Sequence, residues 1–185
     1  MVAMAAEQSF PFWRAYGVIC SAWVKYNNGN VAEGLSLLRN GLAAYRATGV
    51  KMYMSHHVAL LARACEIAGR VEEASTLLDE SLQFVDATGG RWFAAELNRL
   101  RGQMHLHQGH FGAAEELYCK ALSIAKEQEA KLWELRAAAA LARLLCDQAR
   151  RVEARDVLAP VYWWFTEGFN TQDLQVSRAL LEDLG

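Results

Sequence analysis

The chain has 185 residues, 53% hydrophobic and 22% charged, with a formal net charge of -2 and a pI near 6.2. This balance suits one folded domain with a real core; it excludes a disordered polar chain and lacks the basic excess that gripping phosphate backbones requires, so nucleic acid is not an expected partner. No apolar run approaches the ~18 residues of a membrane span, the opening MVAMAAEQSF has no secretory pattern, and Cys20, Cys65, Cys119 and Cys146 form no CxxC pair, so a cytoplasmic protein with reduced, buried thiols is expected.

Apolar residues take up helical spacing at about 12–28, which ends in YNNGNVAEG. There Gly29 offers a turn, and Asn30 and Glu33 have capping-box spacing for a second helix at about 31–47. The same phrase returns as EIAGRVEEA, LHQGHFGAA and, weakened, DQARRVEAR, so that Gly29, Gly69, Gly109 and Ala149 stand 40 positions apart. Helices at about 52–68 and 71–87 flank Gly69, 92–108 and 111–127 flank Gly109, and 132–148 and 151–166 flank Ala149. Pro160 predicts a kink in the last of these. A ninth helix, 171–184, carries Leu174, Leu181 and Leu184 on one stripe and keeps Gln172, Asp173, Gln175, Glu182 and Asp183 polar, as a terminal cap facing water requires.

The register holds beyond the turns. Trp13, Tyr53, Phe93 and Trp133 coincide at the openings, Leu38, Leu78, Tyr118 and Leu158 in the second helices, followed by Leu42, Leu82, Leu122 and Tyr162. Gly34, Ala74, Ala114 and Ala154 keep a small residue where two helices joined by a short turn must approach closely. The expectation is all-α: one domain over 1–185, a right-handed α-solenoid of four hairpins at about 11–50, 51–90, 91–130 and 131–168, plus the capping helix.

The third unit, GQMHLHQGHFGAAEELYCKALSIA, resembles the tetratricopeptide consensus, with Gly102, Gly109, Ala114, Tyr118, Ala121 and Leu122 at its matching positions. More narrowly, residues 10–184 resemble the C-terminal tetratricopeptide region of large bacterial proteins that join a class III adenylate or guanylate cyclase domain to a signal-transduction-type ATPase. The resemblance is tightest at ELRAAAALARL and LAPVYWWFTEGFNTQDL and departs at Trp163, where that family has a glycine. It implies that cyclase and ATPase chemistry belongs to upstream domains and that this region is a non-catalytic, regulatory interaction module.

The residues agree with that implication. Neither GxxxxGK[ST] nor GxGxxG occurs, and no strand pattern exists to carry paired aspartates for metal ions, so no catalytic residue and no cofactor is expected. His105, His107 and His110 cluster and His56 adjoins His57, but none of these pairs has the i, i+4 spacing that aims two imidazoles at one metal; surface or groove-lining histidines without metal are expected. VYWWF at 161–165 is expected to be core.

In tetratricopeptide stacks the first helix of each hairpin lines a groove. The register places there Tyr16, Trp23, Tyr26 and Asn27; His56, Arg63 and Glu66; Glu96, Arg99, Gln103 and His107; and Arg136, Arg143 and Asp147. Such a surface suits a protein or peptide partner with apolar anchors on Trp23 and Tyr26 and carboxylates on the arginines. The competing reading is that Glu66, Glu96 and Asp147 neutralise those arginines internally. The chaperone-tail clamp set of Lys and Asn is missing, and a small-ligand effector site is the alternative function. Finally, Phe12, Trp13, Ile19, Cys20 and Trp23 should form an incompletely covered face on the first helix, covered either by a second copy in a homodimer or by a folded-back 1–10.

Overall fold

A computed structural model describes residues 10–185. Among them are nine α-helices: α1 (Pro11–Asn27), α2 (Val31–Ala47), α3 (Met54–Ile67), α4 (Val71–Thr88), α5 (Ala94–His107), α6 (Phe111–Glu127), α7 (Lys131–Asp147), α8 (Arg151–Tyr162) and α9 (Gln172–Leu184). A 3-10 turn, Arg91–Phe93, precedes α5, and no strand occurs among the described residues. The helices pair as consecutive hairpins. One compact unit runs through Thr88 and holds α1/α2 and α3/α4; the other starts at Gly89 and holds α5/α6, α7/α8 and α9, which lies against both α7 and α8.

The 40-residue phrase is a helix-stop device. Gly29, Gly69 and Gly109 take φ 89°, 74° and 78°, and Ala149 takes 62°. Each left-handed residue lets the next backbone N–H reach back to the carbonyl five residues earlier: Asn30 to Lys25, Arg70 to Cys65, His110 to His105 and Arg150 to Leu145, at 2.8–3.1 Å. The device is also used between hairpins, where Glu129 takes φ 53° and Ala130 bonds to Ala125 at 2.9 Å. With Gly49 at 72° and Gly89 at 68°, a left-handed residue recurs every 20 positions from 29 to 149, half the period visible in the turn phrase.

Packing follows the register. Leu38, Leu78, Tyr118 and Leu158 are fully buried, as are Ala74, Ala114 and Ala154. At Gly34 a Cβ would stand 2.8 Å from Tyr26 Cβ and 3.0 Å from its Cα, which is why this crossing excludes even a methyl. In the second unit Leu135, Leu141, Leu144, Leu145, Leu158, Val161 and Tyr162 form a continuous core to which α9 adds Leu174 and Leu184.

Several expectations need correction. Asn30 makes no side-chain cap bond, and Glu33, the other half of the expected capping box, pairs with Lys25 Nζ. The helices expected at 52 and 92 begin at Met54 and Ala94, since Tyr53 is itself left-handed at φ 57° and Gly89 with the 3-10 turn occupies the second entry. α8 stops at Tyr162, two residues past Pro160, which has no N–H to offer Asp156; what was expected as a kink within a helix to 166 lies at its end. Asp173 is not simply turned to water but bonds Arg136 of α7. Of the four thiols, all free, Cys65 is buried, Cys146 half-buried, and Cys20 and Cys119 exposed.

Candidate binding surfaces

In the first unit, α1 and α3 bring together part of the expected set. Trp23, half-buried, stacks on Tyr26 with ring centroids 5.3 Å apart and planes 17° from parallel. The Arg63 guanidinium carbon sits 5.3 Å from the Trp23 centroid, a cation–π placement. Asn27 Nδ2 donates to the Trp23 carbonyl at 3.0 Å, and the Tyr26 hydroxyl donates to the Arg63 carbonyl at 3.5 Å. Tyr26 is itself buried, so it supports Trp23 from below rather than offering a contact face. Burial pushes its phenol pKa up, Arg63 opposes that, and the Glu66 carboxylate adds to it.

Tyr16 and His56 belong to a different cluster, around His57. Sequence placed His57 among surface or groove-lining histidines; it is buried, with ring centroids of Tyr45, His56, Tyr16 and Tyr53 at 4.7, 5.4, 5.7 and 6.5 Å. Neither ring nitrogen has a hydrogen-bond partner among the described residues. Burial first, and the neighbouring His56 second, lower its pKa to about 4, so the ring is neutral.

In the second unit the arginines are largely committed inside the protein. Arg99 donates to both oxygens of buried Glu96 at 2.8 and 2.9 Å and to Gln103 Oε1 at 3.1 Å. Arg136 donates to both oxygens of Asp173 at 2.9 and 2.8 Å, lies 3.7 Å from Glu96 and sits 5.1 Å from the Trp133 ring centroid. The internal reading therefore holds for these two, and Glu96 forms no open groove wall. Arg143, Asp147 and His107 are exposed, and Arg143 has no ion pair among the described residues.

On the face expected to self-associate, Trp13 and Cys20 are exposed and Trp23 is half-buried. Phe12 is tucked against Trp13 and Tyr45 at 4.8 and 5.4 Å between centroids. Ile19 is only 1% exposed, held inside the α1/α2 hairpin, so it contributes nothing to such a face. The alternative cover, residues 1–10, lies outside the described residues except for Phe10.

Two features escaped the sequence. VYWWF splits: Val161 and Tyr162 are core, whereas Trp163 and Trp164 are 71% and 57% exposed because the helix has ended, and Lys131 Nζ lies 5.4 Å from the Trp164 ring. A cavity of about 300 Å³ in the first unit is lined by Arg46, Met54, Ser55, Val58, Glu80, Ser81 and Phe84. Its walls come from three helices, which no linear spacing announces. Among the described residues no group of three or more His, Cys, Asp or Glu could hold a metal ion, and no helix is long and apolar enough to cross a membrane.

Residues 53–127 match the tetratricopeptide repeat family model. An uncharacterized protein of Rhizobium meliloti (strain 1021) is 29% identical over 61% of this chain, and the matched stretch spans 11% of that protein's length. Among solved structures, the kinesin light chain of nearly identical TPR-like repeats from Podosopora anserina is 21% identical, with a TM-score of 0.70 over 94% of this chain and 86% of that one. BtubC (BKLC) from P. vanneervenii is 17% identical, with a TM-score of 0.79 over 99% of this chain and 78% of that one. The fold class is thus a tetratricopeptide-like α-solenoid of consecutive helix hairpins. Repeats of this kind are typically non-catalytic and generally bind proteins or peptides.

Proposed function

We propose that this chain is a non-catalytic interaction and regulatory module that captures an extended or helical peptide with acidic and apolar residues. The observation that carries the reading is the Trp23–Tyr26–Arg63 cluster: a half-buried aromatic plate, held from below by a stacked phenol and flanked by a guanidinium, offers an apolar residue and a carboxylate adjacent contacts. Arg143, exposed and without an ion pair among the described residues, offers a carboxylate contact within the second unit, independent of the first. Fluorescence anisotropy with a labelled Glu/Leu-rich peptide tests this. Arg63→Glu and Arg143→Glu each weaken binding and the double variant weakens it further, with helicity by circular dichroism unchanged. Equal binding by the double variant overturns the proposal.

The finer context rests on the residues quoted above. The similarity at ELRAAAALARL and LAPVYWWFTEGFNTQDL supports a place in a cytoplasmic cyclase–ATPase signalling protein, and the coding sequence upstream tests it directly. Exposed Trp13 and Cys20 support a homodimer through α1. Sedimentation of wild type against Trp13→Glu should separate a dimer from a folded monomer.

The 300 Å³ cavity favours a second reading, an effector-sensing domain for a small amphipathic ligand, since its size falls at the lower end of small-molecule sites and the Arg46–Glu80 pair, 3.6 Å apart, gives it a charged mouth. A thermal shift by such molecules that disappears in Met54→Trp supports this reading; no shift counts against it.

A further inference from the structure

We infer that His105 and His110 form a bidentate site for a late first-row divalent cation, with Zn²⁺ or Cu²⁺ as the occupant class. The Nδ1 atoms of these two rings face each other at 3.5 Å, with ring centroids 5.7 Å apart. Zinc bound to two imidazoles at its usual 2.0–2.1 Å and a tetrahedral angle sets the two nitrogens about 3.3–3.4 Å apart. The observed pair is within a few tenths of an ångström of that bite without any backbone movement.

The turn supplies the preorganisation. Gly109 at φ 78° ends α5 and lets the His110 N–H donate to the His105 carbonyl at 2.9 Å, while Gly109 itself donates to Leu106 at 3.0 Å. The two residues whose rings face each other are therefore also joined by a backbone bond. The same six-residue closure recurs at Lys25–Asn30, Cys65–Arg70, Ala125–Ala130 and Leu145–Arg150, and in this turn alone both positions are histidine. In this geometry one Nδ1–H donates to the other Nδ1; when an ion binds, the donor ring shifts to its Nε2–H tautomer, so that two neutral imidazoles each present an Nδ1 lone pair.

Imidazole nitrogen selects Zn²⁺, Cu²⁺ and Ni²⁺ over the oxygen-seeking Mg²⁺ and Ca²⁺. With two protein ligands, water fills the remaining positions, so binding is weaker than at a closed structural site.

Isothermal titration with ZnCl₂ on the full chain tests the proposal, with MgCl₂ as the hard-ion control. Wild type takes up one Zn²⁺ per chain at this site and no Mg²⁺. His105→Ala and His110→Ala each abolish it or weaken it by more than the roughly 10–100-fold that follows loss of a group behind a ligand, whereas His107→Ala retains it. Circular dichroism on each variant establishes that the helices are intact, and Gly109→Ala, which leaves both imidazoles present but strains the turn, weakens binding in part. Absence of Zn²⁺ uptake by wild type, or uptake by both His→Ala variants equal to that of wild type, overturns the assignment.

Discussion

Ala149 holds the left-handed backbone that Gly109 holds in the preceding hairpin, φ 62° against 78°. Each residue lets its neighbour close the turn, Arg150 to Leu145 and His110 to His105. For an L-residue that conformation carries a cost of roughly 1–2 kcal/mol, whereas glycine adopts it at no steric cost. Ala149→Gly should therefore raise stability by up to about 1 kcal/mol after the added freedom of the unfolded chain is subtracted, and Gly109→Ala should lower it by about the same. Urea midpoints at constant slope measure both; a lowered midpoint for Ala149→Gly contradicts the strain argument.

Two other glycines should respond to the same substitution with opposite signs. Gly34→Ala drives a methyl against Tyr26 Cβ at 2.8 Å and its backbone N and Cα at 3.0 Å, where nothing flexible can yield, and should cost ~1–3 kcal/mol. Gly112, in the first turn of α6, has nothing within 4 Å of an added Cβ, so Gly112→Ala should gain about 0.5–1 kcal/mol from helix propensity. Thermal melts of the pair moving in the same direction would contradict this packing at the α1/α2 crossing.

These examples also mark what the sequence could and could not disclose. Helix number, pairing and the buried rows were legible because each rests on local spacing, and the small residue at 34, 74, 114 and 154 has one steric cause. The 20-residue recurrence was missed because Glu129, which completes it, takes φ above zero without looking like a turn residue. That His105 and His110 meet was not legible either, because a left-handed stop, which spacing alone does not announce at this distance, brings i and i+5 together. The internal reading of the arginines named Glu66, Glu96 and Asp147 but not Asp173, which reaches Arg136 from 37 positions away.

Burial of His57 gives a pH dependence with a definite sign. Its folded pKa of about 4 lies below the ordinary value of 6.5, so between those values the unfolded chain holds the extra proton and stability falls as pH drops. The loss begins near pH 6.5, reaches on the order of 3 kcal/mol for this group, and levels off below about pH 4. The facing groups are Tyr16, Tyr45, Tyr53 and His56, none of which supplies a carboxylate to hold an imidazolium. His57→Phe should flatten that part of the stability profile and leave neutral-pH stability equal or higher, because two unpaired nitrogens disappear. An unchanged acid slope in this variant assigns the dependence to other groups.

The last helix is held by packing rather than by its ion pair. Leu174 and Leu184 are buried in the second unit's core, so Leu174→Ala should cost about 2–5 kcal/mol. Arg136 and Asp173 are each about 30% exposed, so their bidentate pair is worth at most about 1 kcal/mol and Asp173→Ala should be mild. Chemical denaturation that ranks the two variants the other way would make the pair the anchor. Asp173→Ala also removes the carboxylate that occupies Arg136, leaving its guanidinium over Trp133 with only Glu96 nearby. Capture of the acidic peptide should then strengthen, most visibly at low ionic strength where surface charge is least screened. If capture is unchanged while the fold is intact, Arg136 is structural and the peptide face on this unit is confined to Arg143.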